Sequence, residues 1–282
     1  MLSGQVEGVE PEPDWIELSG VKLFADGGTS SYTAAFHDAY PGRPGHVGAL
    51  CYSDAEMEAL IGTAHQAGAQ ILVHACGDRA QDQVLRAFEK MAPRGQSDRP
   101  HRIEHGGNTL WDEARAAWCR RAGVSPVPNC EFIYNYGEFW QGALGPARAR
   151  RCVPLRSMLD AGFEVAGTAD TTGGALITLN PLHNMWRAVT RTTFRGRVID
   201  PDERITVDEA LTMYTRSAAI AGGHGGSRGT LEVGKLGDLV VLSADLDAIR
   251  PDELQAVRVT HTVVDGRVVF SEDGREIRKD GA

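Results

Sequence analysis

The sequence predicts an α/β chain: parallel strands alternating with helices over residues 1–221, then a small β segment over 222–282. Three observations predict it. Apolar runs of strand length alternate with amphipathic stretches of helix length across short connections, the pattern of a parallel sheet covered by helices. Three of the runs, ILVHACGD, HRIEHGG and FEVAGTAD, end in a potential metal ligand, His74, His105 and Asp170, with glycine close behind. After GGHGGSRG (222–229) the texture becomes β-rich.

The elements follow in order. The first 20 residues are polar and proline-rich and read as a loop. VKLFADGG, from Val21, is a strand ending in Asp-Gly, and Ser30 to Leu50 is a long aperiodic loop of the kind that often carries function. Ser53 opens a helix, with Glu56 three residues on as a capping box and Gly68 at its end. The strand ILVHACGD precedes an amphipathic helix from Asp78 to Met91. HRIEHGG is the next strand, followed by a helix from about Leu110 to Ala122. GVSPVPNC is a poor strand with two prolines, Arg148 to Ala161 is helical, and FEVAGTAD is the fifth strand. Two more helices run from Leu182 to Thr192 and from Thr206 to Ala221. In the β segment Asp265-Gly266 marks a hairpin turn, and GREIRKDGA reads as a frayed tail.

Composition narrows the function classes. A net charge of −9 argues against nonspecific nucleic-acid binding. No run approaches the length of a membrane span and no apolar leader segment is visible, so the expected location is the cytoplasm. Five cysteines, odd in number and without a CxxC pair, read as free thiols.

The chemistry lies at the strand ends. Side chains at the carboxyl ends of parallel strands converge on one site, and two imidazoles with a carboxylate suit a catalytic divalent metal. A lone histidine is more often a satisfied core residue, but His74 and His105 fall at equivalent ends of successive strands. Asp170 at a third end calls for a metal, a cation or a proton-transfer role. Lys22, flanked by apolar residues on the first strand, reads as a snorkelling or ion-paired lysine, or as a buried reactive amine. Arg79, the long loop and CEFIYNYGEFW (130–140) are candidates to shape a substrate pocket, the last being equally readable as a packed surface loop. Two motif matches are rejected. His101 to His105 spells H-x-x-E-H but lies in a strand-length run, and GTLEVGKL (229–236) nearly spells a P-loop but has Leu236 where magnesium needs a hydroxyl.

VKLFADG (21–27), HACGDRA (74–80), HRIEHGG (101–107), VAGTAD (165–170) and LNPLHNMWRAVTR (179–191) together resemble the amidohydrolase superfamily, family 3. DEALTMYTRSAAIA (208–221) and GTLEVGKLGDLVVLSADL (229–246) match it too. The resemblance implies a (β/α)8 (TIM) barrel with an attached β-sandwich, and a hydrolase of non-peptide amide carbon–nitrogen bonds that uses metal-activated water on a small-molecule substrate. It implies zinc, as one or two ions. Lys22 falls at the strand-four lysine, which is carbamylated and bridges two metals in binuclear members. His74 and His105 fall at the strand-five and strand-six ligands, and Asp170 at the strand-eight aspartate that orients and deprotonates the water.

The departures from the pattern are specific. The family's strand-one H-x-H motif occurs nowhere in this sequence, and the first strand corresponds to strand four. The expected architecture is therefore a partial barrel, about strands four to eight, since a closed one needs about 250 residues. Thr168-Ala169-Asp170 replaces Gly-Ser-Asp, and Thr171-Thr172 replaces an apolar-Pro pair. Alternative readings are a truncated inactive remnant, a non-catalytic subunit, or an isomerase or dehydratase on the same scaffold. An open barrel edge predicts a homo-oligomer or a complementing N-terminal chain as partner.

Overall fold

The computed structural model describes residues 17–91, 99–170 and 176–273. The predicted loop at 1–16, Thr171-Thr172 and the tail GREIRKDGA lie outside the described residues. The chain divides into two compact units, the first comprising 1–128, 136–154 and 160–163, the second 129–135, 155–159 and 164–282.

The first unit is built on a four-stranded parallel sheet in the order β1 (Gly20–Phe24), β2 (Gln70–His74), β3 (His101–Glu104) and β4 (Val124–Val127). Its crossovers contain α1 (Asp54–Gln66), α2 (Asp78–Glu89) and α3 (Glu113–Ala122). Helix α1 begins as predicted, with Ser53 and Glu56 in a reciprocal capping box. Helix α3 starts later than predicted because Leu110 has φ +52 and Asp112 supplies the cap, accepting from Arg115 N at 2.9 Å.

Alternation along each strand sorts the side chains into two faces. Ile71, Val73 and Ile103 are buried, as are Met57 and Ile61 of α1 and Val84, Leu85 and Phe88 of α2, and these form the unit's core. The other face carries Lys22, Leu72 and Arg102 in one register row and Phe24, His74 and Glu104 in the next. Arg102 donates to Glu104 at 2.8 Å there. Phe24 is 52% exposed on that face and Lys22 is exposed as well, so Lys22 is not the buried amine that its flanking residues suggested. Its apolar neighbours Val21 and Leu23 occupy the opposite side of the strand, and Lys22 Nζ lies 5.5 Å from the Phe24 ring centroid on the exposed side.

Three further expectations change. CEFIYNYGEFW is no loop: α4 spans Phe132–Leu144. The predicted helix at 148–161 is broken into α5 (Pro146–Ala149) and α6 (Leu155–Asp160), because Val153 takes φ +47 just before Pro154. FEVAGTAD forms no strand; its Gly167 donates to Met213 O at 2.9 Å instead of to a strand ladder.

In the second unit, α7 (Pro181–Thr190) is capped by Asn180. The predicted 206–221 helix is continuous but mixed: α8 (Val207–Thr212), a π-helical turn (Met213–Ser217) and α9 (Ala218–Ala221). Strands β5 (Leu239–Leu242), β6 (Val259–Val264) and β7 (Arg267–Ser271) form an antiparallel sheet. Asp265 and Gly266, with φ +51 and +71, make its β6–β7 turn as predicted.

Candidate metal centre

His74 is the last residue of β2, and His105 follows the last residue of β3. Strict alternation would send His105 to the face opposite Glu104, towards the helices. Its backbone instead takes φ +66, ending the alternation, and the imidazole meets that of His74 with ring centroids 4.5 Å apart. A left-handed non-glycine residue costs about 1–3 kcal/mol, and such strain concentrates at functional sites. The conformation is held by His105 N donating to Val127 O at 3.0 Å and by Asn108, whose side-chain nitrogen lies 3.3 Å from Nδ1.

Cys76 completes the group. One ligand atom from each of His74, Cys76 and His105 lies within 4.8 Å of the others, and Cys76 and His105 are buried. Nε2 of His74 sits 3.6 Å from Cys76 Sγ, 3.2 Å from Gly27 O and 3.6 Å from Asp26 Oδ1. Phe24 closes one side, its ring 5.1 Å from that of His74. Two imidazoles and a thiol are donors that suit zinc-like divalent metals, so the residues present fit such an ion.

Asp26 organises the loops around this group. It is 2% exposed and accepts from Ala35 N at 2.7 Å, Cys76 N at 2.9 Å and Gly77 N at 2.8 Å. One carboxylate thus ties the end of β1 to the long loop and to the turn after β2. Burial pushes Asp26 up to about 7, against the pull of those three backbone donors and of Arg79. Arg79 itself donates to Gly48 O at 3.1 Å and holds the long loop in place.

Asp170 lies in the second unit, with φ +41. In that unit Glu131 is fully buried, and among the described residues no other side chain or backbone group is hydrogen-bonded to its carboxyl oxygens. Burial raises Glu131 to about 9, and the nearby Asp170 adds to the rise. The H-x-x-E-H match is resolved as structural: His101 Nδ1 accepts from Ile71 N at 3.1 Å, and Nε2 lies 3.2 Å from His65 Nδ1. Asp26, Cys76 and Glu131 were missed in the sequence. Cys76, two residues after His74, was the one with a readable signal, an H-x-C at a strand end.

A parallel sheet covered by helices, with paired histidines at adjacent strand ends, defines an α/β protein that carries a group able to hold a metal ion. The chain belongs to the amidohydrolase family, whose model matches residues 3–270. It is 33% identical over 267 residues to the N-substituted formamide deformylase of Arthrobacter pascens, covering 94% of this chain and 48% of that protein. It is 28% identical over 260 residues to the amidohydrolase YtcJ of Bacillus subtilis, covering 91% of this chain and 48% of that one. The chain thus spans about half the length of these relatives. An uncharacterised metal-dependent hydrolase from Pyrococcus horikoshii shares the fold with a TM-score of 0.71 at 24% identity, over 83% of this chain and 46% of the other.

Proposed function

We propose that this chain is part of a metal-dependent hydrolase that cleaves non-peptide amide carbon–nitrogen bonds of a small molecule. One observation carries the reading: the imidazoles of His74 and His105 meet, 4.5 Å between ring centroids, at the ends of neighbouring parallel strands. Family membership and the deformylase relative support it. In this reading His74 and His105 hold the ion, taken to be zinc, and Lys22 completes the ligand set from β1, carbamylated if two ions are bound. A divalent metal held there would supply Lewis-acid polarisation of the scissile carbonyl and an activated water. Asp170 takes the proton from the attacking water and passes it to the departing amine nitrogen as the C–N bond breaks. Asp26 orders the turn behind His74, and Phe24 excludes water from one side of its ring. Arg79 and α4 shape the substrate pocket.

The four parallel strands are read as part of a (β/α)8 barrel, with residues 1–221 as the hydrolase portion and 222–282 as the β-sandwich portion. A cytoplasmic location belongs to the same reading. A second reading is a non-catalytic or inactive member of the same family that acts with a complementing chain or a second copy. Metal analysis of the purified chain tests the proposal. About one zinc per chain is expected, and the double variant His74→Ala/His105→Ala is expected to lose it; full retention of metal by that variant overturns the assignment. A loaded chain that turns over no amide, formamides included, selects the second reading.

A further inference from the structure

We propose that Cys76 is a metal ligand, so that this chain forms a His2Cys site from His74, Cys76 and His105 with its own residues. The inference rests on the metal-dependent reading above and adds a donor which that reading lacks.

The spacing carries it. With Zn–N of about 2.0–2.1 Å and Zn–S of about 2.3 Å, the tetrahedral angle places a ligand nitrogen and sulfur about 3.6 Å apart. His74 Nε2 and Cys76 Sγ are 3.6 Å apart. The third donor, on His105, lies within 4.8 Å of both. The sulfur is also held in place. The backbone of Cys76 donates to Asp26 Oδ1 at 2.9 Å, and its carbonyl accepts from the Thr109 hydroxyl and, at 3.3 Å, from Gln81 Nε2. Cys76 is 6% exposed, so its thiol faces the group and not bulk water. A carbonyl oxygen, a carboxyl oxygen and a sulfur converge on one imidazole nitrogen, a set of Lewis bases that a cation would satisfy together.

An anionic donor is needed because two neutral imidazoles leave the charge of a divalent ion uncompensated. Lys22 is exposed, with Nζ 5.5 Å from the Phe24 ring centroid, whereas Cys76 already lies in the buried group. On binding, the Cys76 thiol gives its proton to solvent and the S–metal bond forms, with no change of oxidation state. A thiolate favours zinc over magnesium or manganese, which prefer oxygen ligands.

X-ray absorption on the zinc-loaded full chain tests this without any change at Cys76. The exposed Cys51 is replaced by serine throughout to remove an adventitious thiol. A sulfur shell at about 2.3 Å is expected; nitrogen and oxygen alone at about 2.0–2.1 Å overturn the Cys76 assignment and leave the histidine site standing. In parallel, the cobalt(II) form is expected to show a thiolate-to-metal charge-transfer band in the near ultraviolet. Cys76→Ser should abolish that band and weaken cobalt binding roughly tenfold or more. A folded Cys76→Ser protein that keeps the band overturns the inference. Failure of the unaltered chain to bind either metal overturns both the inference and the reading beneath it.

Discussion

Individual residues here hold their charge states by burial. His101 and His183 are pushed down to about 4, first by burial and then by a neighbouring base or cation, His65 for the one and Arg187 for the other. Their unfolded values lie near 6.5, so between pH 6.5 and 4 the unfolded chain binds more protons at these sites. Each therefore contributes stability that is complete above pH 6.5 and is lost as the pH falls towards 4. Asp26 and Glu131 carry the opposite sign: raised to about 7 and about 9, they lose stability as pH rises through those values. A total stability curve mixes the two trends, but a variant isolates one. We predict that His101→Asn, whose side-chain oxygen can accept from Ile71 N, gains on the unaltered protein by an amount on the order of 2 kcal/mol as pH drops from 6.5 to 4. Urea unfolding at several pH values measures the difference; a pH-independent gap refutes it. None of these shifts is legible in the sequence, because burial is a property of the packed chain. The HRIEHGG run located His101 on a strand, but only packing shows that its nitrogens are occupied by Ile71 and His65.

At the scale of elements, local chemistry was readable wherever it was self-contained. The Ser53–Glu56 box starts α1, and Asp265-Gly266 turns β6 into β7, because each device satisfies backbone groups within a few residues. The misreadings fall where distant chain decides. FEVAGTAD has strand composition, yet Gly167 bonds to Met213 O and Glu164 pairs with Arg216 and Ser217 along the π-helical turn. The long loop and the turn after β2 make a further such junction. Gly77 lies so close to the loop that an added Cβ would stand 1.9 Å from Ala35 O and 2.7 Å from Ala35 N. Both are backbone atoms and cannot swing aside. Gly77→Ala is therefore expected to cost about 2–3 kcal/mol in denaturant unfolding and to loosen the Cys76 turn. Unchanged stability would show that the loop gives way freely.

For the whole molecule, the unpaired surfaces are the telling feature. Among the described residues strand β1 lies at an edge of the parallel sheet, and a groove of about 550 Å3 runs beside it, lined by Val21, Leu23, Tyr52, Leu60 and Ala64. In the second unit, Val240 and Val241 of β5 and Phe270 of β7 are about half exposed. Open edges flanked by apolar groups invite pairing with another chain. The chain is accordingly predicted to self-associate with rising concentration in analytical ultracentrifugation. A monomer at every accessible concentration refutes the prediction. Among the described residues no helix is long and apolar enough to cross a membrane. What the sequence determined by itself was the alternation of strands and helices, the placing of His74 and His105 at strand ends, and the family, because hydrophobic period and short motifs are local and survive in one dimension. What only the tertiary structure decided was the meeting of His105, Cys76 and His74, the solvent exposure of Lys22 and the burial of Asp26 and Glu131. The first depends on a left-handed backbone at His105 and the others on which surfaces packing covers, and both arise from contacts between segments far apart in the chain.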